Sequence, residues 1–206
     1  MKLIMEIRKR IGVGKSSLVY RTENNTALKV FYSGLKFEDA ERIAENMQFA
    51  RDHGVNVPYP LNVKELTLTP EHIKNLSLFE RHSILLGHVY SLRNLIGKTF
   101  PAIEEELIEG QNLMKRWLPS RRINRQIRDI RQKIRGLDMY VIDDMMPWNY
   151  ILTSNKEVFL VDCVGLRKNK SKEFSPFFMN ELARFLTPTS KIDLVLATLL
   201  HFFLVG

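Results

Sequence analysis

The feature that most constrains the fold is a glycine-containing stretch at residues 10–20, which reads RIGVGKSSLVY. Apolar and polar residues alternate on either side of it, over 4–13 and 17–21, and a period of two is typical of β-strands. Gly12 and Gly14 lack a Cβ, so the backbone between the strands can turn tightly and can lie close to a ligand. The pattern predicts a β-hairpin with glycines at its turn.

The rest of the chain mixes strand and helix patterns, which predicts an α+β fold. Further strands are predicted at residues 27–31, 102–108, 140–142, 150–152 and 158–161. Helices are predicted at 37–53, where Gly54 ends the pattern, at one or two places within 70–96, at 121–135, and over most of the tail.

Composition limits the class of protein without naming its ligand. The chain has 206 residues, and 31 basic against 23 acidic residues give a net charge of +8. This charge suits a phosphate-bearing ligand, an acidic partner or nucleic acid. A single cysteine, Cys163, excludes an internal disulfide and a cysteine-based zinc cluster.

No export or membrane segment is expected. The opening MKLIME is charged and lacks the long apolar core of a signal peptide. The most apolar run, residues 194–205, would rise only about 18 Å as a helix, against roughly 30 Å of hydrocarbon. We expect a buried terminal helix there and a monomeric cytoplasmic fold.

The glycine stretch has two candidate interpretations, and one of them is a P-loop. That motif needs a glycine five residues before its Gly-Lys pair, and a long helix after it. Lys9 stands where the first glycine is needed, and residues 18–20 have a strand pattern. The P-loop interpretation is therefore disfavoured.

The alternative is a resemblance to the Gly-rich loop of the protein-kinase-like superfamily, in which a hairpin covers the phosphates of ATP. Gly12 and Gly14 match two of its glycines, and Ser17 stands at the third. Val19 matches the apolar residue above the adenine. The resemblance implies that these residues bind the nucleotide.

The third predicted strand carries the next part of this resemblance. Ala27 and Lys29 match the Ala-x-Lys motif, which implies that Lys29 binds the α- and β-phosphates. In the family a glutamate of the following helix pairs with that lysine. Glu45 is the favoured candidate, and Glu41, one turn earlier on the same face, remains open.

The strongest match lies downstream. Residues 144–149, DMMPWN, fit the catalytic-loop pattern D-x-x-P-x-N, and Leu160-Val161-Asp162 follows as in the metal-binding DFG segment. The resemblance implies that Asp144 accepts the proton of the substrate hydroxyl, and that Asn149 and Asp162 hold Mg²⁺ against the phosphates.

Residues 104–113 resemble the hinge between the two lobes of a kinase. By this match the backbones of Glu106 and Ile108 meet the adenine edge. The implied architecture is bilobal, with an N-terminal lobe over residues 1–110 and a reduced C-terminal lobe over 111–206.

The pattern also departs from conventional protein kinases. Ile142 and Asp143 stand where many members have His and Arg, and the metal-binding triplet reads DCV. Only 41 residues follow Gly165, and no Ala-Pro-Glu occurs among them. The chain thus resembles the minimal Ser/Thr kinases that bacteria inject into host cells as virulence effectors, one branch of which modifies the host Hsp90 chaperone. Small sugar, lipopolysaccharide and aminoglycoside kinases are the alternative.

A further alternative is a pseudokinase or a basic binding module. Nine basic residues crowd the segment 115–135, which also carries isoleucines at helical spacing: Ile123, Ile127, Ile130 and Ile134. We interpret the basic residues as the solvated face of an amphipathic helix, in preference to a nucleic-acid surface.

Overall fold

The computed structural model describes residues 7–14, 16–32, 34–74, 92–113, 120–140 and 149–168. Over these residues the chain is α+β, with antiparallel sheets and packed helices, so the predicted fold class is confirmed. The division into two lobes stays a prediction.

The largest element is a five-stranded antiparallel sheet with the strand order β1-β2-β3-β5-β4. Its strands are β1 (Ile7–Val13), β2 (Ser17–Thr22), β3 (Thr26–Phe31), β4 (Pro60–Thr67) and β5 (Thr99–Glu106). The first three follow the predicted hairpin pattern. The fourth lies at an edge, so β3 pairs directly with β5.

One face of this sheet is covered by α1 (Phe37–Asp52). Ala40, Ile43 and Met47 of the helix are buried, at the spacing of one helical face. Gly54 follows the helix with a φ of +76°, a left-handed conformation that glycine adopts without steric penalty. The helix and its end match the prediction.

The region 61–100 matches the prediction only in part, since it contains helical turns within 70–96 but also a strand that was not predicted. The structure has strand β4, the short helix α2 (Pro70–Ile73) and a 3₁₀ turn at Leu92–Leu95, while residues 75–91 are outside the described part. β4 escaped prediction because its sequence, PLNVKELT, alternates between apolar and polar residues only over 61–64. It is a strand because β5 supplies its hydrogen-bonding partner, and Pro60 is tolerated as the first residue of an edge strand.

The remaining elements form a second group. The helix α3 (Arg121–Gly136) begins after Ser120, whose Oγ accepts a hydrogen bond from the Ile123 N–H at 3.4 Å. Three short strands form a sheet of order β6-β8-β9, and β7 pairs with β10. Their bounds are β6 (Gln111–Asn112), β7 (Met139–Tyr140), β8 (Tyr150–Leu152), β9 (Val158–Leu160) and β10 (Arg167–Lys168).

Two clusters of buried side chains hold these elements together. The first joins the inner face of the large sheet to α1, α3 and the small sheets, with Phe31, Met47, Ile130 and Leu160 among its members. The second covers the outer face of the large sheet and includes Leu18, Tyr20, Leu28 and Leu68. Each fully buried aliphatic side chain stabilises the fold by about 1.5–3 kcal/mol. Because the first cluster contains residues from Phe31 to Leu166, it packs both halves of the chain into one core.

Within the described ranges, none of the helices has the length and apolarity needed to cross a membrane. The apolar run 194–205 and the predicted tail helices lie outside those ranges.

Candidate functional site

The glycine hairpin is formed as predicted, and β2 follows it instead of a helix, so the P-loop interpretation fails. The Gly14 N–H donates a hydrogen bond to the Ser17 oxygen at 2.8 Å and closes the turn. Gly12 lies opposite Val19, and a Cβ added at Gly12 would lie 3.4 Å from the Val19 Cβ. The absence of a side chain at Gly12 therefore leaves room beside Val19.

The strand register sets the predicted nucleotide-binding residues in one row. Val19 pairs with Gly12 on one side and with Lys29 on the other, and Lys29 pairs with Ile103. Directly paired residues project from the same face of an antiparallel sheet. Ala27, two residues before Lys29, shares this face and is buried. Ser17 is buried at the start of β2.

Lys29 is a buried cation with a carboxylate partner. Its side chain is 8% exposed, and its Nζ lies 2.6 Å from Oδ1 of Asp162, 133 residues further along the chain. Burial opposes the charge on the amine, but the nearby carboxylates of Asp162 and Glu105 outweigh burial and raise the pKa of Lys29. The lysine is therefore held in its charged form.

The hairpin of β8 and β9 places the backbone of Asn149 against Val161, the residue before Asp162. Tyr150 pairs with Leu160, and the Val161 N–H donates to the backbone oxygen of Asn149 at 2.8 Å. Burial opposes ionisation of Asp162, but the Lys29 charge and hydrogen bond keep its pKa below the usual value. The Asp162 side chain is 43% exposed, so solvent reaches this carboxylate.

The predicted partnership of Lys29 with Glu45 is wrong in this structure. Glu45 and Glu41 are both exposed on α1. The helix instead turns Asn46 inward, where the side-chain amide donates to the Leu166 oxygen at 3.0 Å. The family match fixed the spacing along the helix, but the rotation of α1 about its axis depends on the packing of its apolar face.

A residue that the sequence interpretation missed is Glu105, a glutamate of β5 that is only 5% exposed. Burial raises the pKa of its carboxyl to about 7, opposed by the Lys29 charge and reinforced by that of Asp162. Strand alternation was the available signal, because Ile103 is a core residue and Glu105 follows it by two.

The three consecutive glutamates of β5 have different cationic neighbours. Glu104, on the opposite face from Glu105, accepts hydrogen bonds from the Lys64 Nζ and from the Thr26 hydroxyl. Glu106 pairs with Arg51 at 3.4 Å. Each of the three glutamates thus lies near a different cation, because successive residues of a strand project to opposite faces.

The predicted hinge begins where β5 ends. The Glu106 N–H donates to the Tyr59 oxygen at 2.8 Å, so this amide is already engaged. Ile108 lies half-buried in the loop between β5 and β6. Contact of the Glu106 and Ile108 backbones with an adenine stays a prediction.

A narrow recess lies beside Lys29, between the sheet, α1 and the segment after β9. Its lining includes Lys29, Glu105, Ile43, Met47, Cys163 and Val164. Cys163 is buried, burial raises the pKa of its thiol, and its Sγ lies 3.5 Å from the Leu160 oxygen that accepts its hydrogen bond. The cysteine therefore packs as a neutral side chain and is a poor nucleophile.

The predicted proton acceptor, Asp144, falls within residues 141–148, which are outside the described part. Two of the three predicted catalytic-loop and metal residues, Asn149 and Asp162, are therefore placed. Their amide and carboxylate oxygens are the donor types that Mg²⁺ prefers, and Mg²⁺ commonly takes only one or two protein ligands beside phosphates and water. Asn149 is only 3% exposed, and no group of three or more His, Cys, Asp or Glu side chains among the described residues could hold a metal ion, so Mg²⁺ binding stays a prediction.

Comparison with models of protein families gives no match, and a search of the curated proteins finds no significantly similar sequence.

Proposed function

We propose that this protein is a Mg²⁺-dependent phosphotransferase that uses ATP, with a protein-kinase-like site. The observation that supports the proposal most directly is the contact of Lys29 with Asp162. A buried lysine of the strand next to a glycine hairpin lies beside a carboxylate that follows a distant β-hairpin. Kinases need these two groups side by side, because the lysine and the metal act on the same phosphates.

In this proposal each placed residue has one task. The backbone at Gly12 and Gly14 approaches the phosphates, and the Lys29 ammonium neutralises charge on them. Asp162 and Asn149 hold Mg²⁺, which when bound stabilises negative charge on the phosphate oxygens.

Asp144 accepts the proton of the acceptor hydroxyl. The hydroxyl oxygen forms a bond to the γ-phosphorus while the bond from that phosphorus to the β-bridging oxygen breaks, so ADP leaves with the electron pair. The role of Asp144 rests on the motif DMMPWN alone.

We propose a serine or threonine hydroxyl of a protein as the acceptor, in line with the resemblance to effector kinases. Incubation of the purified protein with radiolabelled ATP, Mg²⁺ and a eukaryotic lysate tests both levels of the proposal. A labelled protein band supports a protein kinase, and a labelled small molecule supports the alternative kinase class. No label together with no binding of Mg²⁺–ATP contradicts the proposal.

Matched variants decide whether the label comes from this site. Lys29→Met and Asp162→Asn are expected to abolish transfer. Lys9→Met removes an exposed lysine of β1 and is expected to retain it. Equal loss in all three variants would point to misfolding, and equal retention would point to a contaminating kinase.

The exposed face of α3 favours a second candidate function, the binding of a polyanion. Arg121, Arg125, Arg128 and Arg135 are exposed on the side opposite the buried isoleucines. A polyanion bound by Z such contacts loses affinity with added salt, with a slope of about −0.9Z for duplex DNA. Anisotropy of labelled mixed-sequence DNA and RNA at several salt concentrations tests this, with Arg125→Gln/Arg128→Gln against Arg8→Gln of β1. A flat salt response contradicts it.

A further inference from the structure

We infer that Glu105 is a second counter-ion of Lys29, and that it positions the lysine ammonium when Asp162 is engaged by a cation. The engagement of Asp162 rests on the proposed function, whereas the pairing of Lys29 with Glu105 does not. Glu105 acts in this inference through Lys29 and is therefore a positioning residue.

The register of β3 and β5 supports this pairing. Lys29 lies opposite Ile103 and Ala27 lies opposite Glu105, so Lys29 and Glu105 are diagonal neighbours on two hydrogen-bonded strands. Diagonal positions have their Cα atoms roughly 7–8 Å apart, within reach of two long side chains. Both residues are buried and both line the same recess.

The ammonium of Lys29 requires a second carboxylate partner when a cation binds Asp162. Among the described residues, the carboxylates that act on its ammonium are those of Asp162 and Glu105. A cation bound to Asp162 would compete with Lys29 for its carboxylate, and a buried ammonium without a partner is strongly unfavourable. In this structure the ammonium contacts Asp162 and forms no ion pair with Glu105, so the Lys29 side chain has to reorient for Glu105 to become its partner.

The helix glutamates are poorly placed for this task. Glu45 and Glu41 are exposed, and α1 would have to rotate to bring either one inward. Rotation would expose the buried face that holds Ile43 and Met47. The strand glutamate therefore replaces the helix glutamate that the family match suggested.

Unfolding measurements without nucleotide test the inference. The measurements are made at pH 8, above the pKa of about 7 of Glu105, where its carboxyl is ionised. The Asp162→Asn substitution removes the first partner, so adding Glu105→Gln leaves the buried ammonium unpaired. The unfolding equilibrium constant of the double variant is expected to exceed the product of the two single effects by about tenfold, which corresponds to about 1.4 kcal/mol.

Glu104→Gln is the matched control, since Glu104 is a buried glutamate of the same strand on the opposite face. Its effect is expected to add to that of Asp162→Asn without coupling. Additive effects for Glu105→Gln, or coupling of Asp162→Asn with Glu45→Gln instead, would overturn the inference. If the Asp162→Asn/Glu105→Gln variant does not fold, restoration of folding by Lys29→Met supports the inference, and lack of restoration overturns it.

Titration of the folded protein with Mg²⁺–ATP separates this inference from the proposed function. Glu105→Gln is expected to weaken binding about tenfold, and Glu104→Gln to leave it unchanged. A wild-type protein that binds no Mg²⁺–ATP contradicts the proposed function, and the unfolding measurements alone then decide the role of Glu105. Equal affinity of wild type and Glu105→Gln contradicts the positioning role.

Discussion

At the scale of single residues, the candidate site consists of charges held in a largely apolar environment. Lys29 and Glu105 are both nearly inaccessible to solvent, while Asp162 lies at the boundary of the core. In an ion pair at such a boundary, both charges are partly desolvated and are stabilised by their mutual attraction. Loss of one partner therefore leaves the other charge desolvated and uncompensated, which destabilises the folded state. Each charge in this group therefore depends on its neighbours.

The Lys29–Asp162 pair gives the first prediction. Asp162→Asn is expected to lower the free energy of unfolding by about 1–3 kcal/mol, less than for a fully buried pair because the Asp162 side chain is partly exposed. Denaturant titration of the apoprotein measures this. Lys29→Met/Asp162→Asn should lose less stability than the sum of the single variants, and an additive result would contradict the pairing.

Glu105 gives a prediction on pH. Its pKa in the folded protein is raised to about 7 from an ordinary 4.5, so the folded state keeps a proton that the unfolded chain has released between these values. The contribution of Glu105 to stability is thus full below pH 4.5 and is lost as the pH rises through about 7.

The Glu105→Gln variant lacks this titration. Relative to wild type, its free energy of unfolding is expected to increase by about 1–3 kcal/mol between pH 5 and pH 8. Denaturant midpoints of both proteins at the two pH values provide the measurement, with Glu104→Gln as control. A difference that stays constant with pH would show that Glu105 is ionised throughout.

At the scale of elements, the backbone at Gly110 lies unusually close to strand β8 of the small sheet. Gly110 precedes β6, and a Cβ added to it would lie 2.3 Å from the backbone oxygen of Leu152 in β8. A contact that close is a steric clash with the main chain, which a side-chain rotation cannot relieve. The glycine is thus required by the packing of β6 on β8 and not by a left-handed backbone conformation.

Two alanine substitutions test this. Gly110→Ala is expected to lower the free energy of unfolding by about 1–3 kcal/mol through overpacking. Gly136→Ala is the matched control, because no atom lies within 4 Å of its added Cβ. It should be neutral or stabilise α3 by up to about 1 kcal/mol. Thermal or denaturant unfolding compares the two, and equal stability would refute the close approach at Gly110.

The sequence predicted well those elements whose apolar periodicity is strong. The hairpin of β1 and β2, the helices α1 and α3, and the hairpin of β8 and β9 all follow from local patterns. The last of these places the backbone of Asn149 against Val161, next to Asp162. Strand β4 could not be predicted, because its hydrogen bonds and its burial are provided by β5.

The site was predictable only in part. Glu45 was misassigned because the family match was preferred to the apolar periodicity of α1, which places Glu45 away from the buried stripe that holds Ile43 and Met47. Glu105 was missed because three consecutive glutamates suggest a solvated segment, and only the pairing of β5 with β3 shows which of them is turned inward.

At the scale of the whole molecule, the core that includes α1 and α3 links Phe31 of β3, the strand next to the glycine hairpin, to Cys163 in the Asp162 segment. A ligand held by both ends of the site should therefore stabilise the entire cooperative unit. When the free ligand concentration is one hundred times the dissociation constant, binding raises the free energy of unfolding by about 2.7 kcal/mol.

Thermal unfolding with Mg²⁺–ATP gives the corresponding prediction. The midpoint of the wild-type protein is expected to rise by about 5–10 °C at such a concentration, since a protein of this size gains about 2–4 °C per kcal/mol. Lys29→Met should lose the rise and Lys9→Met should keep it, and chelation of Mg²⁺ should diminish it. An equal rise in both variants would place the nucleotide elsewhere on the molecule.

The strand order of the large sheet also affects how the chain is made. Thr26 of β3 pairs with Glu106 of β5, and these residues are 80 positions apart (106 − 26). At about 5–20 residues per second, the ribosome needs roughly 4–16 s to add that length. During this interval β3 has an open edge that carries Leu28 and Val30, both fully buried in the finished protein. The nascent chain is therefore most exposed to aggregation in this interval, and a translational pause before residue 99 would lengthen it.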